Sequence, residues 1–193
     1  MAVDSSSRHL TVAAKKGDNS IVRYIPDCSM QHSVALMGEV EKAMDEVGLS
    51  CGECDFFCAV TGPGSFTGIR IGISTAKGLA LGADKPLLGL TSFDLVAYNV
   101  NSENFYVVID AAHSHFYVKG YGECQSSPEY MSIEEVGSLG APLYGFEELP
   151  LDNYTRLKAD ECLPAAAERA KGNLSKDISA LYVRKSQAEE GRK

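Results

Sequence analysis

The 193-residue chain has no tryptophan, four histidines, and only 18 Lys and Arg against 26 Asp and Glu. Each shortage excludes something. Proteins that grip nucleic acid neutralise phosphates with clustered Lys and Arg. Here the longest basic groupings are Lys15-Lys16, Arg184-Lys185 and Arg192-Lys193. The net charge of −8 is spread evenly, with 8 basic against 12 acidic residues in 1–103 and 10 against 14 in 104–193. The chain is not expected to hold RNA or DNA by itself. No apolar run approaches the roughly 20 residues that span a bilayer, and Asp4 follows Met1 too soon for a signal-peptide core. A cytoplasmic location without a membrane partner is the expectation.

Metal and redox sets are also short of members. The six cysteines are Cys28, Cys51, Cys54, Cys58, Cys124 and Cys162. Cys51 and Cys54 form a Cys-x-x-Cys in "CGECDFFC", but tetrahedral zinc takes about four ligands and no second pair supplies them. A thioredoxin-like pair opens a helix after a strand, whereas this one precedes a strand, so free thiols are the reading. Among His9, His32, His113 and His115 there is no H-x₃-H pair. His113 and His115 would point the same way from a strand, yet no third ligand lies near, and no metal is expected. No Ser/His/Asp or Cys/His set has supporting context.

Periodicity supplies the organisation. A short first strand ends at Asp4, and "SSSR" turns into a strand "HLTVAAKK" in which Leu10, Val12 and Ala14 share a face. "KKGDN" is a hairpin turn before "NSIVRYIPD". Helical spacing follows from about residue 30 to 47, with Val34, Met37, Val40, Met44 and Val47 on one stripe and Gly48 as the stop. "DFFCAV" reads as a buried parallel strand, "PLLGL" as another, and Ser92 as the cap of "FDLVAYNV". Further on, "HFYVKGYGE" is a strand and "SIEEVGSL" a helix with a Ser132/Glu135 capping box. "APLYGF" and "ALYVR" are expected strands, "PAAAERAKG" a helix, and 185–193 a loose tail.

The opening also recurs. "VDSSSRHLTVAA" at 3–14 aligns without gaps on "IDAAHSHFYVKG" at 109–120, pairing Asp4 with Asp110, His9 with His115 and Val12 with Val118. A duplicated strand–Asp–turn–strand unit is the ground plan of actin-like, Hsp70-like and sugar-kinase-like α/β folds. The expected organisation is therefore a lobe at 1–103 and a smaller lobe at 104–184.

Between them in interest lies "AVTGPGSFTGIRIGISTAKGLAL", 59–81. A Walker loop needs G-x₄-G-K-[ST], and Ile69 stands where the lysine should be. A dinucleotide fingerprint needs G-x-G-x-x-G, and Gly68 comes one residue late after Gly62 and Gly64. Free amides at the helix start still leave an anion site possible in principle, with Asp4, Gly62, Gly64, Ser65 and Asp110 as the phosphate-facing candidates. The plainer reading gives Asp4 and Asp110 to hydrogen bonds within their own turns.

The helix is more telling. Gly68, Gly72, Ala76 and Ala80 recur every four residues and form a ridge without bulk, bordered by Ile69 and Ile73. Helix-interior glycine costs about 1 kcal/mol relative to alanine, so close packing must offset it. One reading packs the ridge on the chain's own sheet or first helix. The other makes it a subunit interface of Gly68, Ile69, Gly72, Ile73, Ala76, Lys77 and Ala80 with Met37, Val40 and Met44.

"TGPGSFTGIRIGISTAKGLAL" followed by "KPLLGLTSFDLVA", with "AVDSSSRHLTVA" ahead and "VVIDAAHSHFYVKGY" behind, closely resembles the TsaB (YeaZ) family, related to the glycoproteases. The resemblance covers 1 to about 120; "LYVRKSQA" looks like a trace of the family's last strand, and 125–175 carries no matching motif. It implies a two-lobed actin-like fold and a non-catalytic dimerisation and activator subunit in the formation of N6-threonylcarbamoyladenosine on tRNA. It further implies a homodimer exchanged for a heterodimer with the catalytic paralogue TsaD, a further ATPase subunit, tRNA contact only through the complex, and no cofactor apart from weak or shared nucleotide. The first strand and the second half are shorter than the family's usual ones. The alternatives are a stand-alone actin-like ATPase or kinase resting on Asp4, Asp110 and the glycine turn, and a glycoprotease-type metallopeptidase.

Overall fold

The computed structural model describes residues 1–28, 31–146 and 148–184; the expected tail, 185–193, lies outside them. Two five-stranded mixed sheets have the same strand order. The first is β3-β2-β1-β4-β5, built from β1 (Ala2–Asp4), β2 (Leu10–Lys16), β3 (Asn19–Ile25), β4 (Phe57–Val60) and β5 (Leu87–Leu90). The second is β8-β7-β6-β9-β10, built from β6 (Phe105–Asp110), β7 (His115–Tyr121), β8 (Glu129–Ser132), β9 (Leu143–Gly145) and β10 (Tyr154–Arg156). In each, the central strand runs antiparallel to the next strand in sequence and parallel to the fourth. This is the duplicated actin-like fold.

Helices α1 (His32–Glu46) and α2 (Phe66–Ala83) cover the outer face of the first sheet. That core joins Val3, Leu10, Val12, Phe57 and Ala59 to Leu36, Val40, Ile69, Ile73 and Ala76. β4 is buried on both faces, as a strand between two parallel neighbours must be. On the outer face of the second sheet, among the described residues, the one helix is the short α4 (Ile133–Gly137), whose Val136 meets Val108, Phe116, Val118 and Leu143, with Leu139, Leu149 and Leu151 packed beside it. The two remaining helices cross over. α3 (Ser92–Ala97), from the first half, places Phe93 and Val96 against Val107 and Ile109 of the second. α5 (Ala159–Ala170), from the second half, places Leu163 and Ala166 against Ala2, Ala13 and Cys58 of the first. The boundary expected at 103/104 falls in the link between α3 and β6, but each half completes the other's core.

Several local expectations need correction. Met37 is 44 % and Val34 83 % exposed, so the buried stripe of α1 is Leu36, Val40, Ala43 and Met44 instead. Thr91, not Ser92, caps α3, because its side chain accepts the Asp94 amide while Asp94 accepts the Thr91 amide. Pro164 lies inside α5 and does not open it. "ALYVR" is not a ladder strand; β8 and β10 supply the edges, and the sequence reading missed both. The Ser132/Glu135 capping box is present as read.

The repeat also slips by one residue. In β2 and β7 the offset of 106 holds, because Val12 and Val118 both face outward, under α1 and α4. In β1 and β6 it fails, because Val3 faces outward with Val12, and Val108, not Ile109, does so with Val118. A one-residue shift reverses a strand's faces, so Asp4 corresponds to Ile109, and Asp110 is one step beyond.

Candidate functional site

Two places merit chemistry: the cleft between the halves and the surface of α1 and α2. The cleft has a volume of about 210 Å³ and takes Asp4, Ser6, Arg8, Gly64, Ser65 and Ser92 from one side, Val108, Asp110, Ala112 and Phe146 from the other. Asp4 is buried, and its Oδ1 accepts the Ser6 amide at 2.9 Å and the Ser6 hydroxyl at 2.7 Å. Asp110 is exposed and its Oδ1 accepts the Ala112 amide at 2.9 Å. Each carboxylate thus accepts hydrogen bonds within its own turn while lining the cleft.

The glycine turn is occupied in the same way. The Ser65 amide donates to the Ser6 carbonyl at 2.7 Å, and the Gly68 amide donates to the Ser65 hydroxyl at 3.2 Å. A Cβ at Gly64 would run into the Ser6 carbonyl oxygen, and one at Gly62 would lie 2.6 Å from Ile69 Cδ1. Gly62 also has φ +97°, which disfavours a side chain there. The glycines let the turn after β1 press against the start of α2. An amide that a phosphate would need is committed to a carbonyl.

That contact continues along the ridge. A Cβ on Gly68 would collide with the Ser5 carbonyl oxygen, and one on Gly72 would sit 2.7 Å from Ser5 Oγ. Ser5 Oγ also donates to the Gly68 carbonyl at 2.8 Å. Ala76 and Ala80 are buried in the same core, as are Ile69, Ile73, Val40 and Met44. Eight of the ten residues read as an interface from their spacing therefore lie inside the chain's own first half. The exceptions are Met37 and Lys77, whose ammonium pairs with Asp177. The physical reason is the β1–β2 turn, which needs a bare helix to approach.

The opposite side of α2 faces solvent. Thr67, Arg70, Ser74, Gly78, Leu81 and Gly82 are exposed there, Leu81 at 87 %. On α1, Val34 and Met37 are exposed. Among the described residues, no atom beyond the helix's own neighbouring backbone lies within 4 Å of where a Cβ would stand at Gly38, Gly78 or Gly82. These helical glycines, unlike Gly68 and Gly72, gain nothing inside the chain that offsets their cost. The sequence holds this second ridge as Ser74-Gly78-Gly82, four apart and half a turn from Ile69–Ile73. It is shorter and less regular than the inward ridge Gly68-Gly72-Ala76-Ala80.

The remaining candidates sit apart. His113 is in a left-handed turn (φ +54°), not a strand, and His115 opens β7 with its ring stacked on Tyr130. The two imidazoles therefore do not project side by side. His32 Nε2 meets the His9 carbonyl at 3.1 Å inside the first half. Cys51 and Cys54 form a 3₁₀ turn, and burial pushes the Cys58 and Cys162 thiols up to about 12, so neither is a ready nucleophile.

A family model, TsaD: tRNA N6-adenosine threonylcarbamoyltransferase, matches residues 25–143. The chain belongs to that family. Within it the chain is similar to proteins named tRNA threonylcarbamoyladenosine biosynthesis protein TsaB. One is from Bacillus subtilis, 32 % identical over 99 residues, covering 51 % of this chain and 43 % of the relative. Another is from Escherichia coli, 31 % identical over 104 residues, covering 54 % and 45 %. The chain spans about half the length of the curated relatives it matches. A solved structure of YeaZ from Pseudomonas aeruginosa aligns with a TM-score of 0.76 at 23 % identity, over 94 % of this chain and 98 % of that one. Within that family the chain is thus similar to TsaB proteins, and it shares the fold of the YeaZ structure.

Proposed function

We propose that the chain is a non-catalytic dimerisation and activator subunit in tRNA N6-threonylcarbamoyladenosine biosynthesis. It scaffolds a catalytic TsaD-type paralogue in the cytoplasm, and tRNA is held by the complex. The observation that carries the reading is the outward face of α1 and α2. Exposed Val34, Met37 and Leu81 flank helical glycines with open space around them. A helix of a partner can approach such a backbone closely, and the Met37 side chain adapts to it. The same face serves a homodimer before exchange. The relatives' names support the pathway. The turn-bonded carboxylates and the committed Ser65 amide support a subunit that needs no nucleotide of its own, a shared nucleotide being confined to the complex. Nothing in the geometry favours a stand-alone kinase or a peptidase.

The test is a pair of substitutions on opposite sides of α2. Gly78→Arg leaves the chain folded by circular dichroism and removes pairing in gel filtration, both with itself and with the TsaD-type protein. Gly72→Leu unfolds the chain. Unimpaired pairing of folded Gly78→Arg rejects the proposed face.

A further inference from the structure

After α5 and a 3₁₀ turn, residues 174–184 leave the second half and cross back over the first. Leu87 and Ser175 exchange amide–carbonyl bonds at 2.9 and 2.8 Å, which adds a short piece to the open edge of β5. The Asp177 carboxylate meets Lys77, and Ile178, 6 % exposed, enters the first core over Gly89 and Thr61. The Leu181 amide then donates to the Thr61 carbonyl at 2.8 Å. Tyr182 stacks on Phe66 at 4.4 Å and its hydroxyl accepts from Arg70 Nε at 3.0 Å. Finally Leu181 and Val183 reach the core around β6, and the Arg184 guanidinium lies 4.3 Å above the Tyr130 ring of β8.

The segment therefore touches both halves in succession, yet it is thinly held. Its backbone bonds to the first sheet sit at two separate points, Leu87 and Thr61, and Ile178 is its one buried residue. Segments with few buried contacts and few ladder bonds open at free energies below that of global unfolding. We infer that residues 174–184 are a latch that opens as a unit while both sheets remain folded, and that in its closed position it fixes the second half against the first. Opening exposes the edge of β5, where an extended segment can add. It also removes Asp177 and Tyr182 from the rim of α2, and with them Leu181 and Val183 from between the halves.

Native-state hydrogen exchange on the full chain tests the inference. The amides of Leu87, Ser175 and Leu181 report the latch; the Thr61 amide, bonded to the Leu90 carbonyl, reports the β4–β5 ladder beneath it. The expected result is exchange about 100-fold faster at the three latch amides than at Thr61. Ile178→Ser speeds the three by about tenfold more and leaves Thr61 unchanged. The same variant has a larger radius of gyration by small-angle scattering, since the latch's share of the tie between the halves, added to that of α3 and α5, is lost. A common rate for all four amides overturns the separate opening, and an unchanged radius in a variant with fast latch amides overturns the fixing of the halves. Where Ile178→Ser fails to fold, Tyr182→Ala removes only the exposed stack and the Arg70 bond and carries the same expectations.

Discussion

The two halves share a strand order and differ in what covers them. In the first, the connection from β4 to β5 is α2, an 18-residue helix; in the second, the described residues between β9 and β10, 146 and 148–153, hold no helix. α1 has 15 residues and its counterpart α4 has five. Both sheets need an apolar cover, but only the first has enough helix to be covered and still present a second, outward helical surface. The first half thus has an outward helical surface that the second lacks among the described residues. Such asymmetry also explains why α3 crosses over, since the thin second core is completed by Phe93 and Val96 from the first.

Mutations can break or sharpen that contrast. The largest effect is expected at the tightest contact in the first half. Gly68→Leu must displace the Ser5 backbone and costs about 3 kcal/mol or more in urea unfolding; a smaller loss would mean that the β1–β2 turn yields easily. Next come matched core deletions. Leu36→Ala removes a fully buried side chain beneath α1 and is expected to cost about 3 kcal/mol, against about 2 kcal/mol for Val136→Ala beneath α4. Equal losses would say that the second core is as well formed as the first. On the outward side of α2 the sign reverses: Gly78→Ala should raise stability by about 1 kcal/mol, because a methyl group there meets open space. A melting temperature that falls would place an unseen neighbour at that position.

The smallest effect is one of pH. The Lys16 ammonium and the Ser50 hydroxyl and amide hold the Glu53 carboxyl down to about 2. A depressed folded value stabilises fully above the unfolded value near 4.5 and is lost as pH falls toward 2. Because the pair is exposed, the contribution is slight. Lys16→Met should move the Glu53 titration upward by NMR and leave that of Glu134, held down by the start of α4, in place.

Much of this architecture was legible in the amino-acid order. Alternation in "HLTVAAKK", the apolar run "FCAV" and the Ser132/Glu135 box carry their structure locally, and the repeated Asp-turn unit announced the duplication. What escaped is what depends on partners distant in sequence. Spacing alone shows that α2 has a bare ridge; which of two ridges faces inward is decided by Ser5 and Ser6, some 60 residues away. The register slip between Asp4 and Asp110 was hidden because the gapless match was right for one strand of each hairpin. β8 and β10 are edge strands of four and three residues, too short to show a period. The same limit concealed the latch: "ALYVR" has a strand's composition, but Ile178 and Tyr182 find their places on β5 and α2 and not in a ladder.

The central claim is that the outward face of α2, and not its inward ridge, receives another protein. Co-purification of Gly78→Arg and wild-type chains with the TsaD-type paralogue, each checked for folding by its melting temperature, tests it most directly. The account predicts a variant that melts within a few degrees of wild type and brings down no partner. A folded Gly78→Arg chain that retains its partner in full would contradict it.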